Sequence, residues 1–128
     1  MRKTVQKQVI LSTVLASCDH PDAETICERA RAVIPSISLG TVYRNLAQLA
    51  ADGKLKRISI PDSGDRFDKN VEEHAHFHCL GCGKVIDVNL NFEQMDSCKE
   101  FLTEKMGVTL TKITVVMQGY CSDCAKGE

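Results

Sequence analysis

The chain has 128 residues, 26% of them charged, and a formal net charge of −1. This is room for one domain or two small ones, and small domains bury little core and often need a staple, so seven cysteines are notable. Met1–Leu15 lacks the apolar stretch and cleavage site of a signal peptide, and no apolar run reaches the length of a membrane span. The expected compartment is therefore the reducing cytosol, where Cys-x-x-Cys pairs signal metal or redox chemistry and not structural disulfides.

The charge is unevenly spread. Residues 1–66 hold ten Lys/Arg against seven Asp/Glu, and residues 67–128 hold six against ten. The basic half is a candidate for polyanion contact and the acidic half for cations.

In chain order, Val5, Val9, Ile10, Thr13 and Val14 form an apolar stripe at helical spacing, broken by Cys18-Asp19-His20-Pro21. Asp22 is placed to cap a second helix with Ala23, Ile26, Cys27, Ala30 and Val33 inward, ended by Pro35. Ser38 is placed to cap a third, with Leu39, Val42, Leu46, Leu49 and Ala50 inward and Gly53 as its stop. A hairpin follows, from Leu55–Ile60 through Pro61-Asp62-Ser63-Gly64-Asp65 to Arg66-Phe67. Three helices and a hairpin are the order of a winged helix. The second half predicts strands over Ala75–His78 and Val85–Asn89, a helix over Phe92–Met106 stopped by Gly107, and a strand over Leu110–Met117. The whole is α+β: a winged-helix domain over 1–67, a polar hinge over 68–73 and a second, α/β domain over 74–128.

The strongest motif is the pair Cys79-Leu80-Gly81-Cys82 and Cys121-Ser122-Asp123-Cys124. Four thiolates are what a closed tetrahedral zinc site needs, and the two-residue spacing lets both sulfurs of a knuckle reach one ion. The competing chemistry is a redox dithiol, which wants one such motif at a strand-to-helix junction. Next comes Glu73-His74-Ala75-His76-Phe77-His78, with three of the four histidines in the chain. On a strand His74, His76 and His78 share a face, where alternating imidazoles can hold a divalent ion or form a solvated polar edge. By spacing alone, His20 reads as a surface residue, and Asp68 and Asp87 as solvated charges.

On the third helix Thr41, Arg44, Asn45 and Gln48 lie opposite the apolar stripe, with Tyr43 at the edge. Arg can pair with guanine, Asn or Gln with adenine, and Tyr can pack on a thymine methyl, so double-stranded DNA is the candidate partner. A plain solvated face is the alternative, and Lys54, Lys56 and Arg57 on the following hairpin favour DNA, since a basic wing can hold phosphates. Cys27 and Cys98 fall on apolar helical stripes, where free Cys acts as a small hydrophobe.

Taken together, Leu39-Gly40-Thr41-Val42-Tyr43-Arg44-Asn45-Leu46, Arg66-Phe67-Asp68, the His74–Gly83 stretch and Cys121-Ser122-Asp123-Cys124 resemble the ferric uptake regulator family. The resemblance implies a homodimeric repressor that binds AT-rich palindromes when metal-loaded, with the second domain as its dimerisation domain. It implies a regulatory Fe²⁺ or Mn²⁺ site at His20, Asp68, His74, His76 and Asp87, beside the structural Zn²⁺ of Cys79, Cys82, Cys121 and Cys124. Asp at position 68, where iron-sensing members usually carry Glu, resembles the peroxide-responsive branch, and that branch implies His20 and His74 as oxidation targets. Two departures stand out. The family's further N-terminal helix has no counterpart before Thr4, where its usual Thr-Pro-Gln-Arg is also altered at Val5 and Lys7, and no His follows His78, so the additional site that some members build with a late histidine is not expected here. No catalytic nucleophile–base pair is evident and no enzyme is expected. The alternatives are an iron- or other metal-responsive regulator of the same family, and a metal-binding protein without DNA function.

Overall fold

The computed structural model of the chain describes residues 2–71, 74–89, 92–111 and 113–125. The chain divides into two compact units, Met1–Glu72 and Glu73–Glu128.

The first unit holds α1 (Arg2–Ala16), α2 (Ala23–Ala30), α3 (Leu39–Ala51) and an antiparallel hairpin of β1 (Lys56–Ile60) and β2 (Gly64–Asp68). Both predicted caps form. Asp22 accepts a hydrogen bond from the Thr25 amide at 2.8 Å and Ser38 one from the Thr41 amide at 3.1 Å, each satisfying an amide that the first helical turn leaves open. Gly53 takes a φ of +74°, a left-handed stop that a side chain would strain. The core of this unit is built by Ile10 and Val14 of α1, Ile26, Cys27 and Ala30 of α2, Val42, Leu46 and Leu49 of α3, and Leu55 and Phe67 of the hairpin region. Two stripe positions depart from expectation. Val5 is 51% exposed, because the first turn of α1 projects beyond the core. Val33 is 68% exposed, because α2 ends at Ala30 and the chain turns before Val33 can complete the stripe.

The second unit has a three-stranded sheet of order β4-β3-β5, from β3 (Ala75–Cys79), β4 (Val85–Val88) and β5 (Val116–Gly119), with the helices α4 (Phe92–Met106) and α5 (Ser122–Ala125). Strand β3 pairs antiparallel with β4 and parallel with β5. The predicted strand over Leu110–Met117 begins only at Val116. The ladder pairs His76 to Cys79 of β3 with Val116 to Gly119, and the His76 amide also donates to the Val115 carbonyl at 3.1 Å, so pairing reaches back to the residue before Val116. Cys98 is exposed, as are Phe101 and Met106, so the apolar stripe of α4 is not covered within this single chain. Asp68, where the hinge was expected to start, is instead the buried last residue of β2, and hinge positions 72 and 73 lie outside the described residues.

No helix among the described residues is long and apolar enough to cross a membrane. Leu46 is fully buried at the centre of the first unit. Leu46→Ala is expected to destabilise it by about 2–5 kcal/mol, through lost burial and the cavity left behind. Urea unfolding of the variant checks this, and a loss below about 1 kcal/mol contradicts the packing described.

Candidate functional site

The sheet of the second unit builds the sulfur cluster. Cys79 ends β3, Cys82 sits in the turn after it, Cys121 follows β5 and Cys124 lies on α5. Parallel pairing sets Cys79 opposite Gly119, and the Leu80 amide donates to the Gly119 carbonyl at 2.7 Å, which brings the two knuckles side by side. The four sulfurs all lie within 4.8 Å of one another. The amides of Cys82 and Cys121 each donate to Cys79 Sγ at 3.4 Å. These backbone donors, Cys121 first, hold the Cys79 thiol down at about 5, so it is a thiolate at neutral pH. Cys124 is pushed up to about 12 by its neighbours, Cys79 first and then Cys121. The Cys121 thiolate in turn holds the Lys84 ammonium above its ordinary value. Four thiols this close ionise together only around a cation, and an all-sulfur tetrad of two knuckles fits Zn²⁺. Gly81 is part of the cradle, because a Cβ there would meet Cys124 Sγ at 2.8 Å.

Each unit also carries a nitrogen and oxygen donor set. In the first, the Phe67 amide donates to the Pro21 carbonyl at 3.0 Å and Arg66 Nη1 to the His20 carbonyl at 3.1 Å. These bonds tie the His20-Pro21 corner to the end of β2 and set His20 Nε2 3.3 Å from Asp68 Oδ2. His20 adopts a φ of +50°, and both side chains are nearly buried, at 10% and 6% exposed. A solvent-facing loop histidine needs no such backbone conformation. Asp68 is fixed further by the Asn70 amide, which donates to Oδ1 at 3.0 Å.

In the second unit β3 and β4 set His76 opposite Asp87. Nε2 of His74 and Nε2 of His76 approach the same oxygen, Asp87 Oδ1, at 2.9 and 3.3 Å. The imidazoles are 4.3 Å apart at their centroids and tilted by 53°. His78 is not part of this group. It is buried one pleat further on, with Nδ1 3.3 Å from Gln118 Nε2 of β5. Imidazole and carboxylate donors without sulfur suit Fe²⁺ or Mn²⁺, so the chemistry of both sets fits such an ion.

On α3, Gly40, Tyr43, Arg44, Ala47 and Gln48 are exposed, whereas Thr41 and Asn45 are half-buried. By helical rotation Ala47 and Gly40 lie between Tyr43 and Arg44, so the middle of the exposed face is nearly flat and the helix backbone can approach a groove closely. Asn45 differs from its expected role in one respect: its side-chain amide donates to the Thr41 carbonyl at 2.9 Å, which occupies part of its base-reading capacity. Lys54 is exposed, Lys56 is half-buried on β1, and Arg57 lies 3.6 Å from Asp65 across the hairpin. Lys7, absent from the expected contacts, borders the α3 groove with Thr41 and Arg44. Its place as the altered last residue of the Thr-Pro-Gln-Arg stretch was the signal.

A family model described as the ferric uptake regulator family matches residues 1–118. The chain belongs to the ferric uptake regulator family. Within that family it is 32% identical over 124 residues to the peroxide-responsive repressor PerR of Staphylococcus saprophyticus, covering 97% of this chain and 82% of that one. Among solved structures it is similar to the ferric uptake regulator of Helicobacter pylori, described with three functional metal-binding sites, at 25% identity and a TM-score of 0.81, over 94% of this chain and 80% of that one. It is also similar to the peroxide stress regulator of Campylobacter jejuni, at 27% identity and a TM-score of 0.77, over 96% and 91% of the two chains.

Gly81→Ala is expected to lower zinc affinity about tenfold or more without touching a ligand, because the added methyl displaces Cys124. Competition with a chelator measures it. Wild-type retention by the variant contradicts the cradle.

Proposed function

We propose that this member of the ferric uptake regulator family is a DNA-binding repressor whose affinity is set by Fe²⁺ or Mn²⁺ and whose input is hydrogen peroxide. The observation that carries it is the nitrogen and oxygen donor set in each unit, His20 with Asp68 and His74 with His76 and Asp87, beside a unit that presents a base-reading helix. In this reading all five residues hold one regulatory ion, so that loading fixes the angle between the units. Cys79, Cys82, Cys121 and Cys124 hold a structural Zn²⁺. The protein acts as a homodimer, and the fixed angle sets the spacing of two winged helices to match the half-sites of an AT-rich palindrome. Arg44 and Tyr43 read bases, with Thr41, Asn45 and Gln48 at the margin, and Lys54, Lys56 and Arg57 contact phosphates.

Asp68 and the likeness to peroxide-responsive repressors favour peroxide over iron as the signal. Ferrous iron in the site supplies the reduction of peroxide that delivers an oxidant beside its ligands, a reaction Mn²⁺ does not readily perform. His20 and His74 take up that oxidation. An oxidised imidazole is a poorer ligand, the two units are released, and the repressor leaves DNA. The cysteine tetrad is shielded from mild oxidation by its metal.

His20→Ala is expected to retain zinc and dimerisation while losing metal-dependent DNA binding, as read by gel shift with and without Mn²⁺. Metal-activated binding at the wild-type level removes His20 from the site. After low peroxide, peptide mass spectrometry is expected to find oxygen added to His20 or His74 in the Fe²⁺ form only. Unmodified histidines with DNA still bound point to the iron-sensing alternative, and loss through Cys79 or Cys121 oxidation points to a thiol switch.

A further inference from the structure

Helix α3 is flanked by recesses of opposite charge. On one side Gln6 and Lys7 of α1 face Thr41, Arg44 and Gln48 of α3 across a groove of about 600 Å³. On the other, Tyr43 borders a recess of about 380 Å³ shared with Asp22, Glu24 and Asp65. The sequence of α1 deepens the contrast, because its fifteen residues include Arg2, Lys3 and Lys7 and no carboxylate. Duplex DNA carries a phosphate charge every ~1.7 Å of its axis, and a groove entered by α3 is bounded by one backbone strand on each side of the helix. The carboxylates of Asp22 and Glu24 disfavour a phosphate on one side, and Lys7 attracts one on the other.

We propose that the sugar–phosphate strand on the α1 side of the groove read by α3 is held by Lys7 as a phosphate contact, while the Asp22, Glu24 and Asp65 recess on the Tyr43 side offers the opposite strand no such contact. This rests on the DNA-binding reading above and places an additional phosphate contact on the α1 side of the winged helix. In the free protein Lys7 Nζ is 3.7 Å from Asp52 Oδ2, with the two side chains 32% and 50% exposed. A pair so open to water is weak and screened, so Lys7 exchanges this partner for a phosphate at little cost. Lys7 carries no base-reading geometry, and its contribution is independent of sequence.

The test uses the full metal-loaded chain with two probes, a duplex selected from a random pool by the wild-type protein and an unselected duplex. Lys7→Gln is expected to weaken both about equally, by about fivefold per bound chain near 0.15 M salt, and to make the slope of log K against log salt shallower by about 0.9 per bound chain. Lys7→Arg restores both. Glu24→Gln, on the opposite side, leaves the slope unchanged. The proposal is overturned if Lys7→Gln is silent while Arg44→Ala still weakens the selected duplex, and also if Glu24→Gln tightens binding while Lys7→Gln does nothing. Failure of the DNA-binding reading is distinct: the metal-loaded wild-type protein then selects no duplex at all, and this inference falls with it.

Discussion

Ionised thiols repel one another, and the C-terminal unit brings four of them within 4.8 Å. Hydrogen bonds to Cys79 from two backbone amides ease part of that repulsion, and hydrogen bonding to Cys79 and Cys121 holds the proton on Cys124. A divalent cation removes the rest. The unit depends on it, because the described residues offer little else. Its buried apolar side chains are Ala75 and Val85 with Cys79 and Cys121, whereas the extended apolar cluster lies wholly in the first unit. A sheet of short strands with so small a core is stabilised by the clip that joins its start to its end. Since Cys79 terminates β3, the same clip anchors the strand that carries His76, and the β3–β4 register sets Asp87 opposite His76, where its Oδ1 also meets His74 just before the strand. The sulfur cluster and the His76–Asp87 pair are thus tied to the same strand.

The first unit solves its own problem by hydrophobic burial. Helices α1, α2 and α3 close over Ile10, Ile26 and Leu46, and β2 lies against the loop after α1. That contact does double duty. It completes the hairpin and holds His20 in a left-handed backbone conformation with its ring on Asp68. Strain of this kind persists only where surrounding bonds fix it, here those from Arg66 and Phe67. The wing and the His20 corner therefore share a support, so a change at Asp68 is positioned to be felt by the hairpin.

Much of this was legible in the residues. Caps at Asp22 and Ser38, the stop at Gly53 and the two cysteine knuckles are local signals with local physics, and the structure reproduces them. What was not legible depends on long-range pairing. The stretch after Leu110 alternates as a strand should, yet the ladder with β3 covers Val116–Gly119, with Val115 joined by a bond from the His76 amide. Likewise, strand alternation put His78 on one face with His74 and His76, but β5 supplies Gln118 as a neighbour for His78 and β4 supplies Asp87 for the others. No spacing rule reveals which neighbour a strand acquires. His20 was invisible to spacing for the same reason: its partner is 48 residues away in the sequence and reaches it through the two hydrogen bonds that β2 makes to the His20-Pro21 corner. Cys98 and Phe101 show the converse, an apolar helical stripe that one chain does not bury.

The central claim is that two chemically distinct metal sites, one of sulfur and one of nitrogen and oxygen, are joined by β3. X-ray absorption at the zinc and manganese edges of doubly loaded protein tests it most directly. The account predicts zinc surrounded by four sulfurs at about 2.3 Å, and manganese in a shell of nitrogen and oxygen with imidazole scattering that falls when either His20 or His76 is replaced. Sulfur in the manganese shell, or a manganese spectrum indifferent to both replacements, contradicts it.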